Sequence, residues 1–122
     1  MDALRARQAD IWLPKNVLSP LGRLLRGADT HYKDIDVSIL NLTAARVREL
    51  RGIIDASRPG KDGANLRLSF LDMIELTQIS TYAESFLADL GDTGLEQNDA
   101  VALTVTLDRI RERTFPKDET SV

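Results

Sequence analysis

The sequence predicts an all-α protein, a compact bundle of four to five helices with short connections. Three observations carry this expectation. Residues 68–91 and 43–57 each combine a capping signal, an apolar stripe at helical spacing and a stop. A third segment, 94–114, follows a T-x-x-E pattern at Thr93 and Glu96, the spacing of a capping box. The alternative is an α+β fold in which short strands near 35–40 and 100–107 pair.

In order along the chain, Asp2 can cap a helix running to Trp12, with Leu4, Ile11 and Trp12 inward, and Pro14 ends it. Ser19-Pro20 reads as an N-cap followed by proline at the first helical position, starting a short helix stopped by Gly27. Leu21, Leu24 and Leu25 are its inward side, and Arg23 and Arg26 face out. IDVSIL, residues 35–40, alternates Ile35, Val37 and Ile39 with Asp36 and Ser38 and reads as extended, although a helix capped near Asp34 fits the same residues.

Thr43 caps the next helix, Leu42 and Val47 staple across the cap, and Val47, Leu50, Ile53 and Ile54 form the stripe. Arg58 before Pro59 ends it, and RPGKDGAN is a loop. Leu66 and Leu68 flank Arg67 in an extended approach to the stretch around which the chain is organised. There Ser69 and Asp72 form a capping box and Leu68 with Met73 a staple. Met73, Leu76, Ile79, Ala83, Phe86, Leu87 and Leu90 share one arc, and Gly91 supplies the stop.

The last helix is ambiguous in a useful way. Residues 100–107 alternate with a period of two, yet no turn residue separates Leu107 from DRIRER. As a helix, the segment puts Leu103, Leu107 and Ile110 on one face and Val101 and Val105 on nearly the opposite one. Such a helix is apolar on two sides, and something must cover both. After Pro116, residues 117–122 form a polar tail, leaving 1–116 as a single domain.

Composition narrows the function classes. With 43% hydrophobic and 29% charged residues among 122, the chain suits one globular core and not wholesale disorder. The absence of cysteine removes disulfides, thiolate metal sites and a cysteine nucleophile. No apolar run approaches the roughly 18 residues of a membrane helix, and MDALRARQAD lacks the apolar core of a secretory signal, so cytoplasm is the expected compartment. The net charge of −3 hides an asymmetry: residues 1–67 hold twelve Lys/Arg against eight Asp/Glu, and residues 68–122 hold four against eleven. Either the halves pack together and complement each other, or each meets a partner of opposite sign.

Each candidate for chemistry is weak. His31 is the sole histidine, so a histidine-based triad or metal cluster lacks companions, although Asp34 and Asp36 nearby are a possible Mg²⁺ carboxylate pair. DLGDTGLEQND resembles a calcium loop until position twelve, where Ala100 stands in place of the bidentate glutamate. PGKDGAN lacks the spacing of a phosphate-cradling loop. Asn41-Leu42-Thr43 matches a glycosylation sequon, but Thr43 serves as a cap.

The expected function is therefore a small non-enzymatic protein–protein interaction module, an adaptor, chaperone-like or inhibitor protein, without metal or cofactor. Its partner is another protein or a second copy, a homodimer being expected, and Val101 and Val105, with Leu95 adjoining, are the contact residues. The alternative is a nucleic-acid-binding regulator. Arg5, Arg7, Lys15, Arg23 and Arg26, with Arg48, Arg51, Arg58 and Lys61, would contact phosphates. Interspersed Asp10, Asp29, Asp55 and Asp62 and a total of only six aromatics count against it. An enzyme would require Asp34 and Asp36 to meet Glu75 or Glu84.

Overall fold

A computed structural model of the chain describes residues 7–57 and 60–116. Strand β1 (Gln8–Pro14) leads directly into helix α1 (Lys15–Thr30), and a 3-10 turn (Tyr32–Asp34) and one helical turn (Val37–Leu40) precede α2 (Ala44–Ala56). Strand β2 (Gly63–Ser69) then runs into α3 (Phe70–Phe86), a 3-10 turn (Leu87–Leu90) and α4 (Gln97–Thr114). The two strands form an antiparallel sheet, with Gln8 opposite Ser69 and Pro14 opposite Gly63. The chain is thus mostly helical, with four main helices, but α+β and not all-α.

The strands are not where alternation suggested. Residues 8–12, expected to be helical, alternate in β1: Ile11 and Leu13 are buried, whereas Gln8, Asp10 and Trp12 are exposed. Trp12 therefore faces out, at 49% exposure, against the inward position expected for it. The cap proposed at Asp2 and the inward Leu4 lie outside the described residues. Pro14 ends a strand and is also the N-cap residue of α1. That helix starts before Ser19 and passes through both Pro20 and Gly27. Residues 35–40 are not a strand: Asp36 caps a single turn by accepting from Ser38 N–H at 3.0 Å, and Asn41, at φ 60°, ends it in the left-handed region. Residues 100–107 belong to α4.

The capped helices match the sequence reading closely. The Thr43 hydroxyl accepts from Arg46 N–H at 3.1 Å, and Leu42 and Val47 are both buried beside it. Ser69 and Asp72 make both bonds of the capping box, with Leu68 and Met73 wholly buried. The α4 cap falls three residues later than expected. Glu96 N–H donates to the Asp99 carboxylate at 2.8 Å, and Thr93 instead accepts from Leu95 N–H at 3.2 Å. One apolar core draws on every main element, and α1 is its hub, touching α2, α3, α4 and both strands. Leu21, Leu24 and Leu25 in α1 are completely buried.

Helices α3 and α4 form an antiparallel pair. Gln97 Nε2 donates to the Glu84 carbonyl at 2.5 Å, and about two turns further along α4 the Thr104 hydroxyl meets that of Ser80 at 2.7 Å. Thr104 and Thr106 also donate to the carbonyls four residues back at 3.0 and 2.9 Å. That back-bonding satisfies both hydroxyls within the helix.

Candidate interaction surface

The polar features of the fold are mostly self-satisfied. Arg46, in the first turn of α2, has a side chain only 11% exposed. Its Nε donates to Glu75 at 2.5 Å, one Nη donates to Asp72, and the other to the exposed Glu49 at 2.6 Å. Burial alone would pull the guanidinium down. The hydrogen bonds to Asp72 and Glu75 outweigh it and hold Arg46 above the ordinary arginine value. Arg46–Glu49 has the i,i+3 spacing of a helix pair, but the contacts to Asp72 and Glu75 join separate helices and leave no local sequence signal.

Three of the arginines assigned to a phosphate-contacting surface are paired within the N-terminal half. Arg51 donates to Asp29 at 2.9 Å and to Asp55 at 3.2 Å, and these bonds raise it above the ordinary arginine value. Arg48 stands 3.6 Å from Asp29, and Arg26 stands 3.4 Å from Asp55. Arg7 lies over the rings of Phe70 and Phe115, 5.1 and 5.5 Å from their centroids. Arg23 lines a cleft between α1 and α4 that also contains Asp99. Lys15 and Lys61 are exposed, and Arg5 and Arg58 lie outside the described residues. Arg26, Arg48 and Arg51 are linked through Asp29 and Asp55 on the α1–α2 side, and Lys15 and Arg26 line one depression there.

Two of the carboxylates considered for an enzyme have partners of their own. Asp36 is spent on its cap, where bonds from the Ser38 hydroxyl and N–H lower its carboxyl below the ordinary value. Glu75 is held by Arg46, and His31 stands 3.8 Å from Asp34. Among the described residues, no three His, Asp or Glu side chains are grouped to hold a metal ion. Tyr82 is pushed up mainly by burial, its hydroxyl donating to Asp89 at 2.8 Å and accepting from Asp36 N–H at 3.0 Å. This bond network pins the 35–40 segment to α3.

What remains open is apolar. Val101 and Val105 are 40% and 43% exposed, while Leu103, Leu107 and Ile110 of the same helix are buried. Leu95 is half-buried against the core and lines the α1–α4 cleft. Because Ser80 and Thr104 meet across the antiparallel pair, the residues one step on, Thr81 and Val105, project to the same side. On that side lies a second cleft of about 370 Å³, lined by Ile39, Ile74, Thr81, Tyr82, Phe86 and Arg111 among others. Ile39 and Phe86, which line that cleft, are 52% and 37% exposed. Val101 and Val105 thus open on the side toward which Thr81 of the cleft projects.

No family model, no curated protein and no solved structure matches the chain. The fold defines a small α+β domain dominated by helices, and among the described residues no helix is long and apolar enough to cross a membrane.

Proposed function

We propose that the chain is a non-enzymatic interaction module that binds through the α3–α4 side, with a second copy of itself as the first partner to test. The observation that carries this reading is the exposure of Val101 and Val105 on α4, on the side toward which Thr81 of the neighbouring cleft projects. Single exposed apolar residues are ordinary on a soluble protein, but a group sharing one side is the mark of an interaction site. The engagement of Arg26, Arg48 and Arg51 by Asp29 and Asp55 favours it over nucleic-acid binding.

Light scattering on the purified chain, with absorbance read at 260 and 280 nm, is the direct test. The wild type is expected to run as a dimer free of nucleic acid. Val105→Asp is expected to run as a folded monomer, its stability within about 0.5 kcal/mol of wild type, as for a surface substitution. Global unfolding of the variant would place Val105 in the core and end the proposal, as would a variant that dimerises like wild type. Bound nucleic acid that dissociates steeply with salt would shift support to the basic N-terminal half.

A further inference from the structure

We propose a second docking site, independent of the α3–α4 side: the outer edge of β1 accepts an extended peptide segment whose inward side chains carry carboxylates. Hydrogen-bond parity identifies the open groups. Phe70 N–H donates to the Arg7 carbonyl and Lys15 N–H to the Asp62 carbonyl, both at 2.8 Å. With the register Gln8–Ser69 through Pro14–Gly63, the positions bonded to β2 are therefore Arg7, Ala9, Ile11, Leu13 and Lys15. The N–H and C=O groups of Gln8, Asp10 and Trp12 point the other way. Among the described residues they have no hydrogen-bond partner. Pro14, which has no N–H, falls on this same outer side, where an edge strand tolerates it.

The opposite edge is partly closed. Ser69 N–H donates to Asp72, and the Gly63 carbonyl accepts from Gly60, each at 2.8 Å. The β1 edge is thus the longer open one, and an open edge is a template for an added strand.

Beside it runs a groove of about 280 Å³ lined by Asp10, Ile11, Trp12, Ile110, Arg113 and Thr114. Ile11 and Ile110 are buried and give the groove an apolar base. Arg113 has no carboxylate within 4.0 Å among the described residues, whereas Asp10, the acid of the groove, stands 3.4 Å from Arg67. Arg109, one helical turn before Arg113, adds positive charge, against a single acid, Glu112, in the shallow depression that the three line. A strand laid along β1 would turn alternate side chains into the groove, where Arg113 selects a carboxylate. A second copy of β1 fits poorly, because its inward residues Ala9, Ile11 and Leu13 carry no charge.

The test is a titration of the isotope-labelled full chain with the acetylated, amidated peptide Thr-Glu-Thr-Glu-Thr-Glu-Thr. Two controls accompany it, the same peptide with lysine for glutamate and one N-methylated at alternate residues. The expected result is amide shifts centred on Gln8, Asp10 and Trp12, with exchange of those amides slowed about tenfold or more at saturation. The control peptides should bind at least about tenfold more weakly, and Arg113→Glu should reverse the preference between glutamate and lysine. Val105→Asp should leave the titration unchanged, which separates this site from the α3–α4 side. No shifts at millimolar peptide, shifts centred elsewhere, or shifts indifferent to Arg113→Glu and to N-methylation would each overturn the proposal.

Discussion

Replacing Arg46 with methionine is expected to destabilise the fold by about 3–5 kcal/mol, the range for removing one partner of a buried ion pair. The loss should appear as a lower urea midpoint with an unchanged slope. The guanidinium is 11% exposed, and the Asp72 and Glu75 side chains that it meets are each 13% exposed. Without it, two carboxylates stay in a poorly solvated space with nothing to balance them. Asp72 is also tied down, since its other oxygen accepts the Ser69 N–H of the capping box. It cannot swing to water without uncapping α3.

The sign of the pH effect follows from the raised Arg46 value. Stability from a basic group raised on folding is present at every pH below its unfolded value and lost only as pH climbs through the folded one. Arg46 therefore contributes uniformly across the neutral range. Arg46→Met combined with Glu75→Leu should recover part of the loss, because a buried pair can be exchanged for apolar groups more cheaply than it can be halved. Arg48→Met is the control, because Arg48 is 75% exposed, and it should change stability by no more than about 0.5 kcal/mol. A loss at Arg46 as small as that control would mean that water reaches the cluster.

The same residues show what local sequence can and cannot carry. The charge asymmetry between residues 1–67 and 68–122 was visible, and charge pairing between the halves was the milder expectation from it. Among the described residues, the ion pairs that cross between the halves are those of Arg46 with Asp72 and Glu75. The other paired arginines find acids inside their own half; Arg51–Asp55 and Arg111–Asp108 have helical pair spacing, whereas Arg26, Arg48 and Arg67 meet acids on other elements.

Elements with a local stop and start were legible: Thr43, Ser69 and Asp72 fix helix starts through bonds made within three residues. The sheet was not, because β1 pairs with a strand 49 to 61 positions away, and a seven-residue alternation ending in proline resembles a helix end. Val101 and Val105 were found because a helical wheel holds throughout α4. Phe86 was placed on the inner arc and is instead 37% exposed, because α3 ends there and the chain changes to a 3-10 turn at Leu87. Ile39 was missed because its exposure depends on a single turn docked by Tyr82, a contact made across the fold.

Gly27→Ala is expected to destabilise the protein by about 1–3 kcal/mol, the scale of an overpacked core, although alanine is the better helix former by about 1 kcal/mol. Gly27 reads in the sequence as a helix stop, but α1 continues past it to Thr30. The residue is there for proximity. A Cβ on it would run into the Leu90 carbonyl oxygen and lie 3.1 Å from the Leu90 Cβ. Leu90 is buried in the 3-10 turn that leads from α3 toward α4, and Gly91, at φ 78°, abuts the His31 ring so closely that its own Cβ would stand 2.6 Å from His31 Cδ2. The obstacle at Gly27 is backbone held on both sides, so it cannot yield as the tip of a side chain would.

Gly52→Ala gives the comparison within the same protein. Nothing lies within 4 Å of a Cβ at that position in α2, and the substitution should stabilise by about 0.5–1 kcal/mol. Opposite signs in urea denaturation would establish that close approach, and not chain termination, keeps glycine at position 27. Equal gains would mean that the turn at Leu87–Leu90 yields to the extra methyl. That turn leads into α4, so Gly27→Ala would then also be the variant most apt to move Val101 relative to α3.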